Sequence, residues 1–325
     1  SSLKYAKAEL SQIPLRNTVF RESYKPLPIL VERLTMFMNF EDPDNLESSP
    51  FFITGIFTFK WNSVDYPEGH ANLKDLLELD GRHEFVDLVD VYVLDSEIDA
   101  KYFVTKDKII FNDHFIRKLI EEGSGTFRMV IKAKVCEIGK NRSGRGLYLS
   151  GKDKETNIAL SLMEPFGFSH LFFMQDRPDV LALYDLILLN YDKPHTLLSG
   201  GEFENIKLSE YLEQHQLEGV IESSEKEVLV ISDKHVKPTY LFQCLFLPFE
   251  NEEELVSNGK MRIIESNGTT IRLVREISGT YDDTSFALIS LIKVMEFDEK
   301  FSDCSYDSKN LTLVAATDFN SGARE

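Results

Sequence analysis

Residues 126–154 read TFRMVIKAKVCEIGKNRSGRGLYLSGKDK, and the fold reading starts from this stretch. Phe127, Met129, Ile131, Ala133 and Val135 share one parity, while Arg128, Lys132 and Lys134 share the other. That alternation predicts a half-buried strand, residues 126–138, with a basic outer face. Lys140-Asn-Arg-Ser-Gly-Arg-Gly is dense in turn formers and reads as a hairpin loop. A returning strand follows at 146–151, and a third, NIALSLM, at 157–163. The stretch holds eight Lys or Arg against two acids, in a chain of 36 basic and 54 acidic residues with net charge −18. A basic island in an acidic protein points to one place that attracts an anion.

Toward the N-terminus, residues 26–40 predict a helix, with Pro28 in its first turn and Leu30, Leu34 and Phe37 at helical spacing. A Pro- and Ser-rich connector follows at 41–50, then period-two strands at 51–61, 85–94 and 102–111. Asn112 is placed to cap a helix at 113–121, which stops at Gly123-Ser-Gly. Toward the C-terminus, residues 168–184 read as helix-like with an interruption at Pro178, and 185–192 read as a strand. A helix is expected at 208–214 and an acidic helical piece at 250–256. Strands are expected at 217–222, 228–232, 240–248, 260–265, 270–277 and 286–297.

The order of elements in 117–205 matches a five-stranded Greek-key barrel of the OB type, and 206–298 repeats it loosely. The expected architecture is mainly β with short helices, built as tandem OB-like five-stranded barrels. The expected division is an N-terminal arm and linker (1–50), a β-rich unit read as a degenerate OB-like copy (51–116), barrels at 117–205 and 206–298, and a C-terminal tail (299–325).

Composition sets further bounds. A hydrophobic content of 42% with 24 Phe and 12 Tyr is ample for packed cores. No apolar run approaches the roughly 18 residues that a membrane span needs. The first ten residues, SSLKYAKAEL, lack the apolar region of a secretory signal. Three scattered cysteines, Cys136, Cys244 and Cys304, argue against a disulfide framework.

Little in the sequence carries catalytic chemistry. None of the seven histidines pairs at i, i+4, and no cysteine lies at zinc spacing. There is no nucleophile elbow, and the glycine clusters are not phosphate loops. Asp87, Asp90, Asp95, Glu97 and Asp99 fit no EF-hand spacing. Phe166, Phe168, Phe172, Phe173 and Met174 read as core rather than as a partner groove. The expectation is therefore no enzyme, no metal and no cofactor.

Thr126–Ile138, the hairpin Ser143-Gly-Arg-Gly-Leu-Tyr-Leu-Ser-Gly-Lys-Asp-Lys, the strand after it and Val180-Leu-Ala-Leu-Tyr-Asp-Leu-Ile-Leu-Leu together resemble the telomere single-strand-binding OB-fold family. That group includes the protection-of-telomeres proteins and the large subunit of the yeast telomere-capping complex. Lys207-Leu-Ser-Glu-Tyr-Leu before Leu217-Glu-Gly-Val-Ile is similar as well. The resemblance covers roughly 117–298 and departs from the family in its acidity, above all in 206–298. It implies single-stranded DNA binding and end protection in the nucleus, with protein partners on the acidic units and possible self-association. The residues expected at the DNA are Arg128, Lys132, Lys134, Lys140, Arg142, Arg145, Tyr148, Lys152 and Lys154. The alternatives are a solvated basic face balanced by nearby acids, and an OB-fold protein-interaction scaffold that never touches nucleic acid.

Overall fold

The computed structural model describes residues 25–42, 45, 47–141, 143–150, 158–189, 196–247, 252–275 and 281–316. The chain is mainly β with a few helices. Its largest element is a seven-stranded sheet of β1 (Ile29–Phe40), β2 (Phe51–Trp61), β4 (Val86–Leu94), β7 (Thr126–Val135), β10 (Leu183–Leu188), β12 (Glu202–Lys207) and β13 (Glu227–Ser232). The strand order is β12-β13-β10-β1-β2-β7-β4. Neighbours are antiparallel except for β1 and β10, which run parallel with Leu34 opposite Tyr184.

A second sheet orders β11 (Thr196–Ser199), β14 (Cys244–Leu247), β9 (Ile158–Leu162) and β8 (Gly146–Ser150). A third orders β3 (Glu78–Asp80), β6 (Lys108–Phe111) and β5 (Tyr102–Val104). A fourth orders β15 (Met261–Ser266), β16 (Thr269–Arg275) and β17 (Asn310–Ala315), with β17 parallel to β16. The helices are α1 (Asp113–Glu122), α2 (Leu208–Gln214), α3 (Glu252–Ser257) and α4 (Tyr281–Ser302).

The alternation of β7 is realised as read. Phe127, Met129, Ile131, Ala133 and Val135 are buried in the main core, and Arg128, Lys132 and Lys134 stand on the outer face. Asn112 caps α1 by accepting a hydrogen bond from the Phe115 N–H at 3.1 Å. Phe168, Phe172, Phe173 and Met174 are core residues, whereas Phe166 is exposed. A Cβ at Gly55 would lie 2.3 Å from Phe172 Cε1, so only glycine lets that ring sit flat on β2.

Several expectations change, among them the strand expected at 217–222, which is a turn with an isolated bridge between Glu218 and Ile221. Residues 29–40 form a strand, not a helix. β1 lies mid-sheet with both faces covered, Leu34, Met36 and Met38 by the main core and Phe37 by the cluster around α2, so its apolar residues do not alternate. Residues 286–297 lie in helix α4, not in a strand. The stretch 168–184 holds one short 3-10 turn, Phe168–His170, and runs into β10.

The expected barrels do not form either, since every sheet is open among the described residues. β7 and β10 join the seven-stranded sheet, while β8, β9 and β11, from the same expected barrel, build the four-stranded one. β7 and β8 thus lie in different sheets and do not pair as a hairpin.

The layers are held by polar ties as well as by apolar packing. The buried Asp176 carboxylate accepts from the Ser169 N–H at 3.0 Å and from Thr239 Oγ1 at 2.6 Å. The Asp176 N–H donates to Asp80 Oδ2 at 3.1 Å. The fourth sheet packs on the second through Ile158, Leu198, Leu245 and Leu247 on one side and Met261 and Val274 on the other.

Candidate functional site

The residues expected at DNA fall on two sheets. Arg128 pairs with Asp95, and Lys134 lies 3.6 Å from Glu41. Lys132 sits over the Tyr92 ring, 5.4 Å from its centroid. Lys140 pairs with Glu137, three residues back. Arg145 is exposed just before β8 of the second sheet, and Tyr148 is buried in β8. Arg142, Lys152 and Lys154 lie outside the described residues. The structure thus brings Arg128, Lys132 and Lys134 together on one strand face and sets Arg145 and Tyr148 apart from them. Among the described residues no group of three or more His, Cys, Asp or Glu is placed to hold a metal ion.

A cleft of about 300 Å³ opens where the fourth sheet meets the second. Leu160, Leu198 and Leu311 give it an apolar floor, and Asp233, His235 and Asp307 a polar rim. The rim is set by a turn. β11 ends at Ser199, and a bend at Gly200-Gly201 leads the chain from the second sheet into β12 of the first. Gly201 has φ +125°, and a Cβ there would lie 2.6 Å from the Ser232 carbonyl oxygen, so a side chain is excluded on both counts. This places Ser199 beside Gln243, whose carbonyl accepts from Ser199 Oγ.

Across the turn, Lys237 Nζ donates to Asp233 Oδ2 at 2.7 Å, and the His235 N–H donates to Asp233 Oδ1 at 2.9 Å. Burial works against the ionised Asp233, but the Lys237 ammonium and the His235 N–H outweigh it and hold the carboxyl below its ordinary value. His235 stands between two carboxylates, Nδ1 3.3 Å from Asp233 Oδ1 and Nε2 3.0 Å from Asp307 Oδ2. Burial and the neighbouring Asp307 raise Tyr306, so its phenol stays protonated and able to donate. Burial pushes the Cys244 thiol up to about 12, which removes it as a nucleophile at neutral pH. The cleft thus combines a rim that carries the ionised Asp233 with an apolar floor.

Sequence reading missed Asp233 and Asp307, which lie far apart in sequence and form no motif. The one local signal was Asp233-Lys-His-Val-Lys-Pro beside Ser199-Gly-Gly.

No protein-family model matches the chain. It is 29% identical over 190 residues to an aminopeptidase N of Haemophilus influenzae, 57% of this chain and 19% of that protein. It is 28% identical over 211 residues to an aminopeptidase N of Caulobacter vibrioides (64% and 21%) and 28% identical over 193 residues to that of Escherichia coli (57% and 19%). The chain thus spans about a fifth of the length of these relatives. Among solved structures it is similar to Legionella pneumophila aminopeptidase A in complex with aspartic acid. The TM-score is 0.62 at 20% identity, covering 90% of this chain and 29% of the other. That likeness shows a shared fold.

These findings overturn the telomere resemblance and, with it, the expected single-stranded DNA partner and end-protection role. The expectation of no enzymatic connection falls too, because the relatives are named as peptidases, and nothing favours a pure interaction scaffold. The physical reason is that a basic strand face and a hairpin are common to many β proteins. In this chain three of those cations are paired with acids and two barrels' worth of strands are dealt between open sheets.

Proposed function

We propose that this chain is the β-rich part of an aminopeptidase and that the cleft under Asp233 and Asp307 receives a peptide by its free amino end. The observation that carries this reading is the similarity to aminopeptidase N over 190–211 residues from three organisms. The chemistry of the cleft supports it. An α-ammonium group is a compact cation, and the rim offers it Asp307, exposed, and Asp233, held ionised. Tyr306 donates to a peptide carbonyl, and the leucine floor takes an apolar side chain. The role assigned to these residues is to hold and orient peptide. Their sequence has no His-Glu-x-x-His pair, and the described residues present no metal-binding group and no activated thiol.

Calorimetric titration with trialanine and with N-acetyl-trialanine tests this. Trialanine is expected to bind at least about tenfold more tightly, the equivalent of about 1.4 kcal/mol. Asp307→Asn is expected to remove most of the difference. Equal affinity for the two peptides, or binding of neither at millimolar concentration, would count against the proposal.

A further inference from the structure

A second concavity lies on the face of the seven-stranded sheet that α2 partly covers, and the first cleft makes no use of it. α2 and residues 217–221 cover only part of that face, through Leu208, Tyr211, Leu212, Leu217 and Val220 packed on Phe37, Ile187 and Val230. Where this cover ends, a groove of about 460 Å³ remains, within the usual span of small-molecule sites, about 300–1,000 Å³. Its walls are apolar: Phe37, Phe52, Leu189, Leu208, Val220 and Ile221. Its polar groups are mostly neutral donors, the Asn39 amide and the hydroxyls of Thr54, Ser223 and Ser224.

Lys132 is the one cation of this lining, and Glu222 the one acid. Arg128, four residues before Lys132 on β7, and Lys134, two residues after it, each have a carboxylate within 4.0 Å. Among the described residues no carboxylate lies that close to Lys132, although Asp90 is its register partner on β4. Its ammonium instead rests over Tyr92 at 5.4 Å. A half-buried ammonium at the mouth of an apolar groove favours an anion that brings its own apolar body. With a single positive charge and one acid on the rim, the lining suits a monoanion and disfavours phosphate dianions.

We propose that this groove binds a small apolar-tailed monocarboxylate, with its head on Lys132, Asn39 and Thr54 and its tail along Phe37, Phe52 and Ile221. The assignment does not depend on the peptidase reading, since cleft and groove share no residue.

Titration calorimetry at low salt tests it with three probes: decanoate, decanol and N-acetyl-dileucine with a free carboxyl end. Decanoate is expected to bind at least tenfold more tightly than decanol. Lys132→Met is expected to abolish that preference while leaving decanol unchanged, and Lys132→Arg is expected to keep it. Ile221→Glu, which puts a charge where the tail lies, is expected to weaken decanoate at least tenfold with Lys132 intact. Decanoate binding more tightly than N-acetyl-dileucine would assign a free acyl chain as the source of the carboxylate, and the reverse order a peptide carboxyl end. Binding of neither carboxylate at millimolar concentration, or full decanoate affinity in a folded Lys132→Met protein, would overturn the site.

Discussion

His235 reaches Asp307 across the mouth of the cleft, Nε2 to Oδ2 at 3.0 Å. The histidine follows β13 of the large sheet and the aspartate precedes β17 of the small one, so the contact ties two sheets at the rim of the cleft. Both groups are substantially exposed, and exposed pairs contribute about 0–1 kcal/mol. His235→Ala is therefore expected to leave global stability nearly unchanged while loosening residues 303–309. Hydrogen exchange of that segment should speed up several-fold. Unchanged exchange would show that the contact does not hold the rim.

Gly201 is the hinge of that rim. Gly201→Ala combines a φ of +125° with a Cβ 2.6 Å from the Ser232 oxygen. It is expected to cost about 1–3 kcal/mol in urea unfolding. At Gly200 a new Cβ would meet Lys237 Nζ at 3.6 Å, an ordinary contact, so Gly200→Ala should cost well under about 1 kcal/mol. Equal losses at the two positions would contradict the turn geometry.

His170 should give acid sensitivity. It is buried, stacked on Phe85 at 4.6 Å and hydrogen-bonded through Nδ1 to Ser143 Oγ at 3.1 Å. Burial, with Arg82 and Arg145 adding positive charge, lowers it from 6.5 to about 4. The unfolded chain therefore takes the proton first as pH falls. The stability this residue contributes is complete above about 6.5 and drains away between about 6.5 and 4, by roughly 3 kcal/mol in all. His170→Phe should flatten the stability–pH curve in that window. A curve unchanged by the substitution would rule the residue out as its cause.

Helix α4 is apolar on two faces. Leu288 is buried against Ile271 and Leu273, while Phe286, Phe297 and Phe301 are 76%, 67% and 80% exposed on the other side. Such a stripe favours association. Replacing the three phenylalanines by serine is expected to lower dye binding to exposed apolar surface and to raise the concentration at which the protein associates, with little loss of stability. A large fall in melting temperature would instead show that the stripe packs against the body of the protein.

The parts of the fold legible in the sequence are those whose pattern is local. β7 shows its parity because one face is buried and the other carries Arg128, Lys132 and Lys134. α1 shows its cap, and α2 its limits. β1 and α4 were misread for one shared reason: both bury or expose apolar residues on two faces, so the period that separates strand from helix is lost. β1 even offers Leu30, Leu34 and Phe37 at helical spacing by coincidence. Which strands pair is decided by contacts distant in sequence, such as β1 with β10, and no local pattern distinguishes a barrel from stacked open sheets. The cleft was illegible for the same reason, since Asp233 follows β13 of the first sheet and Asp307 precedes β17 of the fourth, and only the folded chain brings them together.

The proposal that the cleft receives peptide is tested most directly by amide chemical shifts during titration with trialanine. The expected result is perturbation centred on Ser199, Gly200, Gly201, His235 and Asp307, lost when the peptide is N-acetylated. Shifts confined to other surfaces, or a pattern that acetylation leaves unchanged, would contradict it.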